Sequence, residues 1–300
     1  MKKIIIAGAN GQVGKDLQVL AKSAKQYECL FFDSKSLDIT DEKAVAAAFN
    51  KHKPTYLINC AAYTAVDTAE TNQERAYEVN AKAVANMAVN CIAADCQFIH
   101  ISSDYVYHNG LDRPLLETDA TTPKGVYADS KLKGDIAAME INPATIILRT
   151  SWVYSSFGNN FLKTMMRLGK ERDQLGIVYD QIGAPTYARD IAAAILTIID
   201  KVESTGLSYG GVYNFAPQGI TCWYDYAKTI FELEDIDCTV NSILSKAYPT
   251  PAQRPTYSVL NCDKIKDTFD LDIPYWKDSV KACLKVLKTQ EHVEKLRIEN

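Results

Sequence analysis

Lys2-Lys3-Ile4-Ile5-Ile6-Ala7 runs directly into Gly8-Ala9-Asn10-Gly11-Gln12-Val13-Gly14, and that junction restricts the chain to few architectures. A short continuous apolar run reads as a strand buried on both faces. From Gln12 the spacing turns helical, with Val13, Leu17 and Leu20 on one side. Strand, glycine turn and helix N-terminus in that order make a pyrophosphate site. The glycines let the backbone approach, and the free helix N–H groups and dipole favour negative charge. Asp33 ends the next apolar run about 20 residues on, where a ribose-binding carboxylate belongs.

The pattern then repeats. A strand at Cys29–Asp33, a helix at 41–52, a strand at 56–60, a long helix at 73–94 and a strand at 97–101 lead to Ser102-Ser103-Asp104-Tyr105-Val106. A further helix carries residue 127 to about 139, and 144–148 is another strand. This rhythm predicts an α/β fold, a doubly wound parallel sheet of the Rossmann type. Beyond residue 150 it loosens. Residues up to 170 hold a helix, 176–179 a strand and 189–201 a helix on the sheet, whereas 203–211 reads as an exposed connection. Tyr248-Pro249-Thr250-Pro251-Ala252-Gln253-Arg254-Pro255 excludes helix and central strand and reads as a rigid loop. The expected division is residues 1–150 plus about 171–202 for the dinucleotide, and about 151–170 plus 203–300 for a smaller substrate lobe closing over the sheet.

Tyr127 and Lys131 stand four residues apart and so share one helix face. An ammonium beside a phenol favours the phenolate, making Tyr127 a proton donor or acceptor, and Ser103 can hold the same substrate oxygen. With 17 tyrosines in the chain the spacing is weak by itself, and Tyr224 with Lys228 repeats it. Only Tyr127 follows a strand ending in a serine pair.

A net charge of −4 speaks against nucleic-acid or membrane-surface partners, so an anionic ligand needs placed cations and backbone amides. The opening apolar run is too short for a secretion signal, and no run reaches the length of a membrane helix. The eight cysteines lack C-x-x-C spacing and the four histidines do not cluster with them. These read as buried thiols in a reducing cytoplasm without zinc, and His100 as a strand residue.

The glycine turn, Asn59-Cys60-Ala61-Ala62, Ser103, and Tyr127 with Lys131 resemble the extended short-chain dehydrogenases/reductases. More narrowly, Gly11-Gln12-Val13-Gly14, Thr64-Ala65-Val66-Asp67, Ser103-Asp104-Tyr105-Val106, Thr150-Ser151-Trp152-Val153-Tyr154, Gly158-Asn159-Asn160-Phe161, Asp180-Gln181-x-Gly183-Ala184-Pro185-Thr186 and Pro249-Thr250-Pro251-Ala252-x-Arg254-Pro255 resemble the dTDP-4-dehydrorhamnose reductase family over nearly the whole length. The resemblance implies reduction of the C4 ketone of dTDP-4-dehydro-L-rhamnose to dTDP-L-rhamnose by NADPH or NADH. Tyr127 would protonate the oxygen, Lys131 would lower its pKa and grip the nicotinamide ribose, and Ser103 would hydrogen-bond the carbonyl. The family often has Thr at the Ser103 position; the hydroxyl survives, with one methyl less to hold its rotamer.

Cofactor contacts are expected at Gly8, Asn10, Gly11, Gln12, Val13 and Gly14, at Asp33, Ser34, Lys35, Asp38 and Ile39, and at Ala61, Ala62 and Tyr63, with Tyr127 and Lys131. Asp33 favours NADH, while Lys35 and Ser34 can meet a 2′-phosphate, so use of both is expected. Substrate contacts are expected at Thr64, Val66, Ser103, Asp104, Tyr105, Trp152, Asn160 and Arg254. Trp152 either walls the sugar or plugs the core between lobes, and Arg254 either grips the diphosphate with Asn160 or is solvated. Asn80 either binds backbone near the site or lies on the surface.

Some relatives join subunits through a divalent metal. Asp16 is available for this, but Tyr187-Ala188-Arg189 at the late position weakens a metal link, leaving a homodimer as the expected assembly. Two other classes stay open: an epimerase or dehydratase on the same scaffold, with Asp104 as the nearby acid, and a non-catalytic dinucleotide-binding subunit.

Overall fold

A computed structural model describes residues 1–298. In chain order they form β1 (Lys2–Ala7), α1 (Gln12–Leu20), β2 (Tyr27–Phe32), α2 (Glu42–His52), β3 (Tyr56–Asn59), α3 (Val66–Ala69), α4 (Gln73–Tyr77), α5 (Ala83–Ala93), β4 (Gln97–Ser103), α6 (Val126–Ile141), β5 (Ile146–Thr150) and α7 (Phe161–Glu171). The second part holds β6 (Gln174–Val178), β7 (Ile182–Gly183), α8 (Ala188–Thr205), β8 (Gly211–Phe215), β9 (Thr221–Cys222), α9 (Trp223–Leu233), β10 (Thr239–Ile243), α10 (Asp263–Phe269) and α11 (Trp276–Ile298).

The central sheet is parallel throughout, in the order β2-β1-β3-β4-β5-β8. Alternate residues of β1 feed its two faces. Ile4 and Ile6 join Leu17 of α1 and Ile191 and Ile195 of α8, while Ile5 and Ala7 join Val84 and Met87 of α5. That two-sided burial is why the strand is apolar at every position. From β1 the chain winds one way to β2 and the other way to β3, so a crevice opens at the carboxyl ends of β1 and β3, where such folds take ligands.

The long helix expected at 73–94 is interrupted. Glu78–Lys82 is π-helical between α4 and α5, a local widening that often marks functional positions. It turns Asn80 inward against α6, whose Gly134 comes so near that an added Cβ would lie 2.0 Å from Asn80 O.

The strand expected near 176–179 is β6, but it leaves the central sheet and pairs with β10 in a separate two-stranded sheet. Its sequence explains this: buried Leu175 and Ile177 alternate with exposed Gln174 and Gly176, the pattern of a sheet covered on one face only. The sixth strand of the central sheet is instead β8, which begins at Gly211, the last residue of the stretch expected to be an exposed connection. The neighbouring Gly210 lies so close to Pro143 and Ala144 that a Cβ would meet Pro143 O at 2.1 Å. The proline-rich segment is irregular, as expected, and leads into a strap across both parts. Ser258 N donates to Ile182 O at 2.8 Å, and Leu115 N to Val259 O at 2.8 Å.

Candidate active site

A cleft of about 860 Å³ runs along the carboxyl edge of the sheet, from the glycine turn to the start of α6. Gly8 has φ +79°, and a Cβ there would meet Ala61 N at 2.5 Å; Gly14 would strike Gly8 O at 2.4 Å. These two glycines bring α1 tightly onto β1 and β3 and leave Gly11 at its N-cap, facing the cleft. No side chain caps α1 and its first turn holds no acid. The first intrahelical bond is Lys15 N to Gly11 O at 2.9 Å, so the N–H groups of Gln12 to Gly14 have no helical acceptor. Free donors at a helix N-terminus with glycine access fit a dinucleotide pyrophosphate.

At the β2 end of the cleft Asp33 is fixed by its own loop. Its Oδ1 accepts from Lys35 N, Ser36 N and Ser36 Oγ at 3.1, 2.9 and 2.8 Å, and its Oδ2 from Asn10 Nδ2 at 2.7 Å. Ser36, absent from the expected set, therefore orients the carboxylate, whose pKa is held low by these bonds. Ser34, Asp38 and Ile39 line the cleft, but Lys35 does not. The cation on this wall is Arg75 of α4, bonded to Thr40 Oγ1 at 3.2 Å and Glu78 Oε2 at 2.6 Å. Nothing in the spacing of the sequence pointed to it. Ala61, Ala62 and Tyr63 line the opposite wall after β3.

Helix α6 begins where it does because Gly125, at φ +84°, turns the chain and Glu70 Oε1 accepts the Val126 N–H at 2.8 Å. A Cβ on Gly125 would sit 2.6 Å from that oxygen. Tyr127 and Lys131 thus fall in the first turns of α6, facing Ser103 at the end of β4, and all three line the cleft. Ser103 Oγ donates to Asp104 Oδ1 at 3.0 Å and accepts from Tyr105 N at 3.2 Å; the Tyr105 ring stands edge-on to Tyr127, centroids 5.5 Å apart.

Burial pushes the Tyr127 phenol up to about 12, with the Ser103 hydroxyl pulling it down and Asp104 and Asp135 adding to the rise. Lys131 does not lower it as expected. The lysine is buried and its Nζ is turned to β4, donating to Ile101 O at 2.7 Å and lying 3.3 Å from His100 Nε2. Burial draws Lys131 itself down to about 8. At neutral pH the phenol keeps its proton, which suits an acid that gives a proton to a developing alkoxide.

On the remaining wall, Thr64, Val66, Asp104, Tyr105 and Trp152 all line the cleft. Trp152 adopts φ +46°, rare for a residue with a large side chain, and stacks on Trp223 of α9 at 3.7 Å. Gly183 makes room for it, since a Cβ there would touch the indole at 2.7 Å. Trp152 therefore packs against α9 and also faces the cleft. Asn160 does not line the cleft. Its Oδ1 caps α7 through Lys163 N at 3.1 Å, and its Nδ2 donates to Gln12 Oε1 at 2.9 Å and Ser155 O at 2.7 Å, while its neighbour Asn159 is the one that lines the cleft. Arg254 also stands outside the lining, paired with Asp67 at 2.7 Å. Asn80 is buried. It accepts from Tyr63 N at 2.8 Å and donates to Tyr63 O and Ser130 Oγ at 3.1 Å each, holding the β3 loop against α6.

The RmlD substrate binding domain model matches residues 1–289. A dTDP-4-dehydrorhamnose reductase of Aggregatibacter actinomycetemcomitans is 39% identical over 288 residues, 94% of this chain and 98% of that protein. The chain belongs to the dTDP-4-dehydrorhamnose reductase family. A crystal structure of the Clostridium acetobutylicum dTDP-4-dehydrorhamnose reductase superposes with TM-score 0.90 at 39% identity, covering 95% of this chain and 99% of that one. The Bacillus anthracis enzyme, whose structure is a complex with NADP, superposes with TM-score 0.88 at 35% identity over 95% and 99%.

In this family member Asp16 is unavailable for the metal link considered from the sequence. It is buried, with Ser155 Oγ at 2.6 Å and Arg189 Nε at 2.9 Å. Among the described residues no group of three or more His, Cys, Asp or Glu could hold a metal, and no helix is long and apolar enough to cross a membrane. All eight cysteines are free; Cys29, Cys60, Cys238 and Cys262 are only partly buried.

Proposed function

We propose that this chain reduces the C4 ketone of dTDP-4-dehydro-L-rhamnose to the alcohol of dTDP-L-rhamnose, with NADPH or NADH as reductant. The observation that carries the reading is one cleft holding an uncapped glycine-lined helix N-terminus at one end and Ser103, Tyr127 and Lys131 at the other. When bound, the dihydronicotinamide supplies the hydride that adds to C4. Ser103 orients the carbonyl oxygen. Tyr127 gives that oxygen its phenolic proton, and Lys131 holds the cofactor ribose. Gly11 to Val13 bind the pyrophosphate, Asp33 the adenosine ribose, and Trp152 with Val66 the sugar. Arg254 meets the diphosphate, which requires its guanidinium to be shared with Asp67.

The reading carries cytoplasmic work, where nicotinamide cofactors are regenerated, and keeps a homodimer as the assembly to test; a metal link through Asp16 is disfavoured by its bonds to Arg189 and Ser155. Purified protein offered a panel of nucleotide-sugar 4-ketones tests it by NADPH absorbance. Oxidation of NADPH with the dTDP-4-dehydrohexose is expected. Turnover of the sugar without loss of NADPH selects an epimerase or dehydratase instead.

A further inference from the structure

The direction of the hydrogen bonds around Ser103 depends on the charge of its neighbour Asp104. Ser103 Oγ carries one hydrogen and two lone pairs. Tyr105 N lies 3.2 Å away and can only donate, so one lone pair is taken. Asp104 Oδ1 lies 3.0 Å away. An ionised carboxylate only accepts, so against it Ser103 spends its single hydrogen and keeps none for a substrate carbonyl. A protonated Asp104 reverses the bond: Oδ1–H donates to Ser103 Oγ, fills the second lone pair and leaves the serine hydrogen for the cleft.

The surroundings of Asp104 suit the acid. The residue is only 2% exposed, and its Oδ2 is buried without a hydrogen-bond partner. A carboxylate there leaves an oxygen unanswered in an apolar setting. On the acid, the proton belongs on Oδ1, because on Oδ2 it is a buried donor without an acceptor. The groups that face Asp104 are polar and uncharged: the Ser103 hydroxyl on β4, the Tyr105 and Tyr127 phenols, and the Ser258 hydroxyl that the strap brings in. Of the cations, Lys131 donates to Ile101 O and Arg254 pairs with Asp67. Burial lifts the Asp104 carboxyl to about 7, against the pull of both serine hydroxyls and of backbone N–H groups. Both forms are present at neutral pH.

We propose that Asp104, as the protonated acid, is a positioning residue that donates to Ser103 Oγ and so turns the serine hydroxyl hydrogen to the substrate carbonyl, whereas its carboxylate captures that hydrogen. This rests on the reductase reading of Ser103 and Tyr127. The charge of Asp104 also reaches Tyr127, where a carboxylate raises the phenol further and makes it a poorer acid. Protonation of Asp104 thus favours both contacts to the developing alkoxide, and ionisation weakens both.

The pH profile of NADPH-dependent reduction tests this. Losing one donor to a developing oxyanion costs about 10²–10³ in rate. With the ionised form nearly silent, kcat/KM for the ketone should fall about fourfold from pH 6 to 7.5. In kcat the same limb should lie at higher pH, because a bound carbonyl holds the serine hydrogen and favours the acid. Lys131, drawn down to about 8, adds only a small loss over this range. An amide can present either oxygen or nitrogen to Ser103, so Asp104→Leu, which presents neither, is the variant of choice. It should flatten kcat/KM to a change of less than about 1.5-fold over the same range. A flat wild-type profile, or a limb that survives in Asp104→Leu, overturns the proposal. Carbon-13 NMR of aspartate-labelled full-length protein reads the carboxyl itself, and Asp104→Leu marks its signal. The midpoint is expected at about 7. It should rise by about half a unit or more with NADP+ and the dTDP-4-dehydrohexose bound, a pair that does not react. A midpoint near the ordinary carboxylate range, or one that a bound ketone leaves in place, overturns the proposal too. If the wild type does not oxidise NADPH with the ketone, the reductase reading fails, while the carboxyl midpoint of the ligand-free protein still decides whether Asp104 holds its proton for Ser103.

Discussion

Arg254 enters the proline-rich strap already committed. Its Nη2 lies 2.7 Å from Asp67 Oδ2, its Nη1 donates to Ala252 O at 3.1 Å, and Asp67 Oδ1 accepts the Ala252 N–H at 3.1 Å. The two side chains are 21% and 40% exposed, so as an ion pair they contribute only about 0.5–1 kcal/mol to stability. A diphosphate is a stronger ligand for a guanidinium, and losing a charge-assisted hydrogen bond to it costs roughly 1.5–3 kcal/mol. Arg254→Ala is therefore expected to weaken dTDP-sugar binding by about 10- to 150-fold by calorimetry, with NADPH affinity unchanged. Thermal stability should fall by only a few degrees. Asp67→Asn separates the two partners: it frees the guanidinium from a competing carboxylate, so sugar affinity should hold or rise. Unchanged substrate affinity in Arg254→Ala, with a lowered melting temperature, would show that Arg254 only clamps the strap and would refute the diphosphate role.

Tyr127→Phe keeps the ring against Tyr105 and removes the proton donor; kcat should fall roughly 10²–10⁴-fold with cofactor affinity nearly unchanged. Tyr224→Phe, on α9 with Lys228 Nζ 5.8 Å above its ring, is the matched control and should keep substantial activity. Steady-state kinetics with both cofactors should show less than about a 100-fold preference, under about 3 kcal/mol. Arg75→Ala on the cleft wall should lower kcat/KM for NADPH while sparing NADH, and Lys35→Ala should do the same to a smaller extent. Equal losses with both cofactors in either variant would remove that residue from 2′-phosphate recognition.

Contacts made within a strand, a turn or a helix face were legible. Ile4 to Gly14 announced a two-sided strand and a helix N-terminus because glycine and burial act locally, and Tyr127 with Lys131 followed from one helical turn. What escaped depends on chain brought from far away. Arg75 reaches the cleft wall from α4 through the fold of the β3–α5 connection, and Ser36 joins Asp33 because a loop turn, not a spacing, aims it there. His100 read as a plain strand residue, which it is. Its partners Asn59, Lys131 and Asp135 come from β3 and α6, and only the packed sheet brings them together. The alternation of β6 was present in the sequence and, given due weight, argues against a central strand.

Asp104 offers a last test, in which stability and site chemistry oppose each other. Burial pushes its carboxyl from 3.8 up to about 7, against the pull of the Ser103 hydroxyl. The folded state thus holds this proton more tightly than the unfolded chain does. Between about pH 4 and 7 the native protein binds more protons at this site, and its stability declines as pH rises. From pH 5 to pH 7.5 the loss from this one group is on the order of 2 kcal/mol. Half-buried carboxylates with lowered values, such as Asp33 and Asp119, act with the opposite sign, and only below about pH 4. Asp104→Asn keeps the shape and removes the titration, so urea unfolding should show it gaining on the wild type as pH goes from 5 to 7.5. The same difference at both pH values would refute the shift. If the gain appears together with loss of turnover, the buried acid is retained for what it does to Ser103, whose hydroxyl it holds at 3.0 Å beside the reacting oxygen's expected place. A fold tolerates a destabilising buried carboxyl where the site needs one.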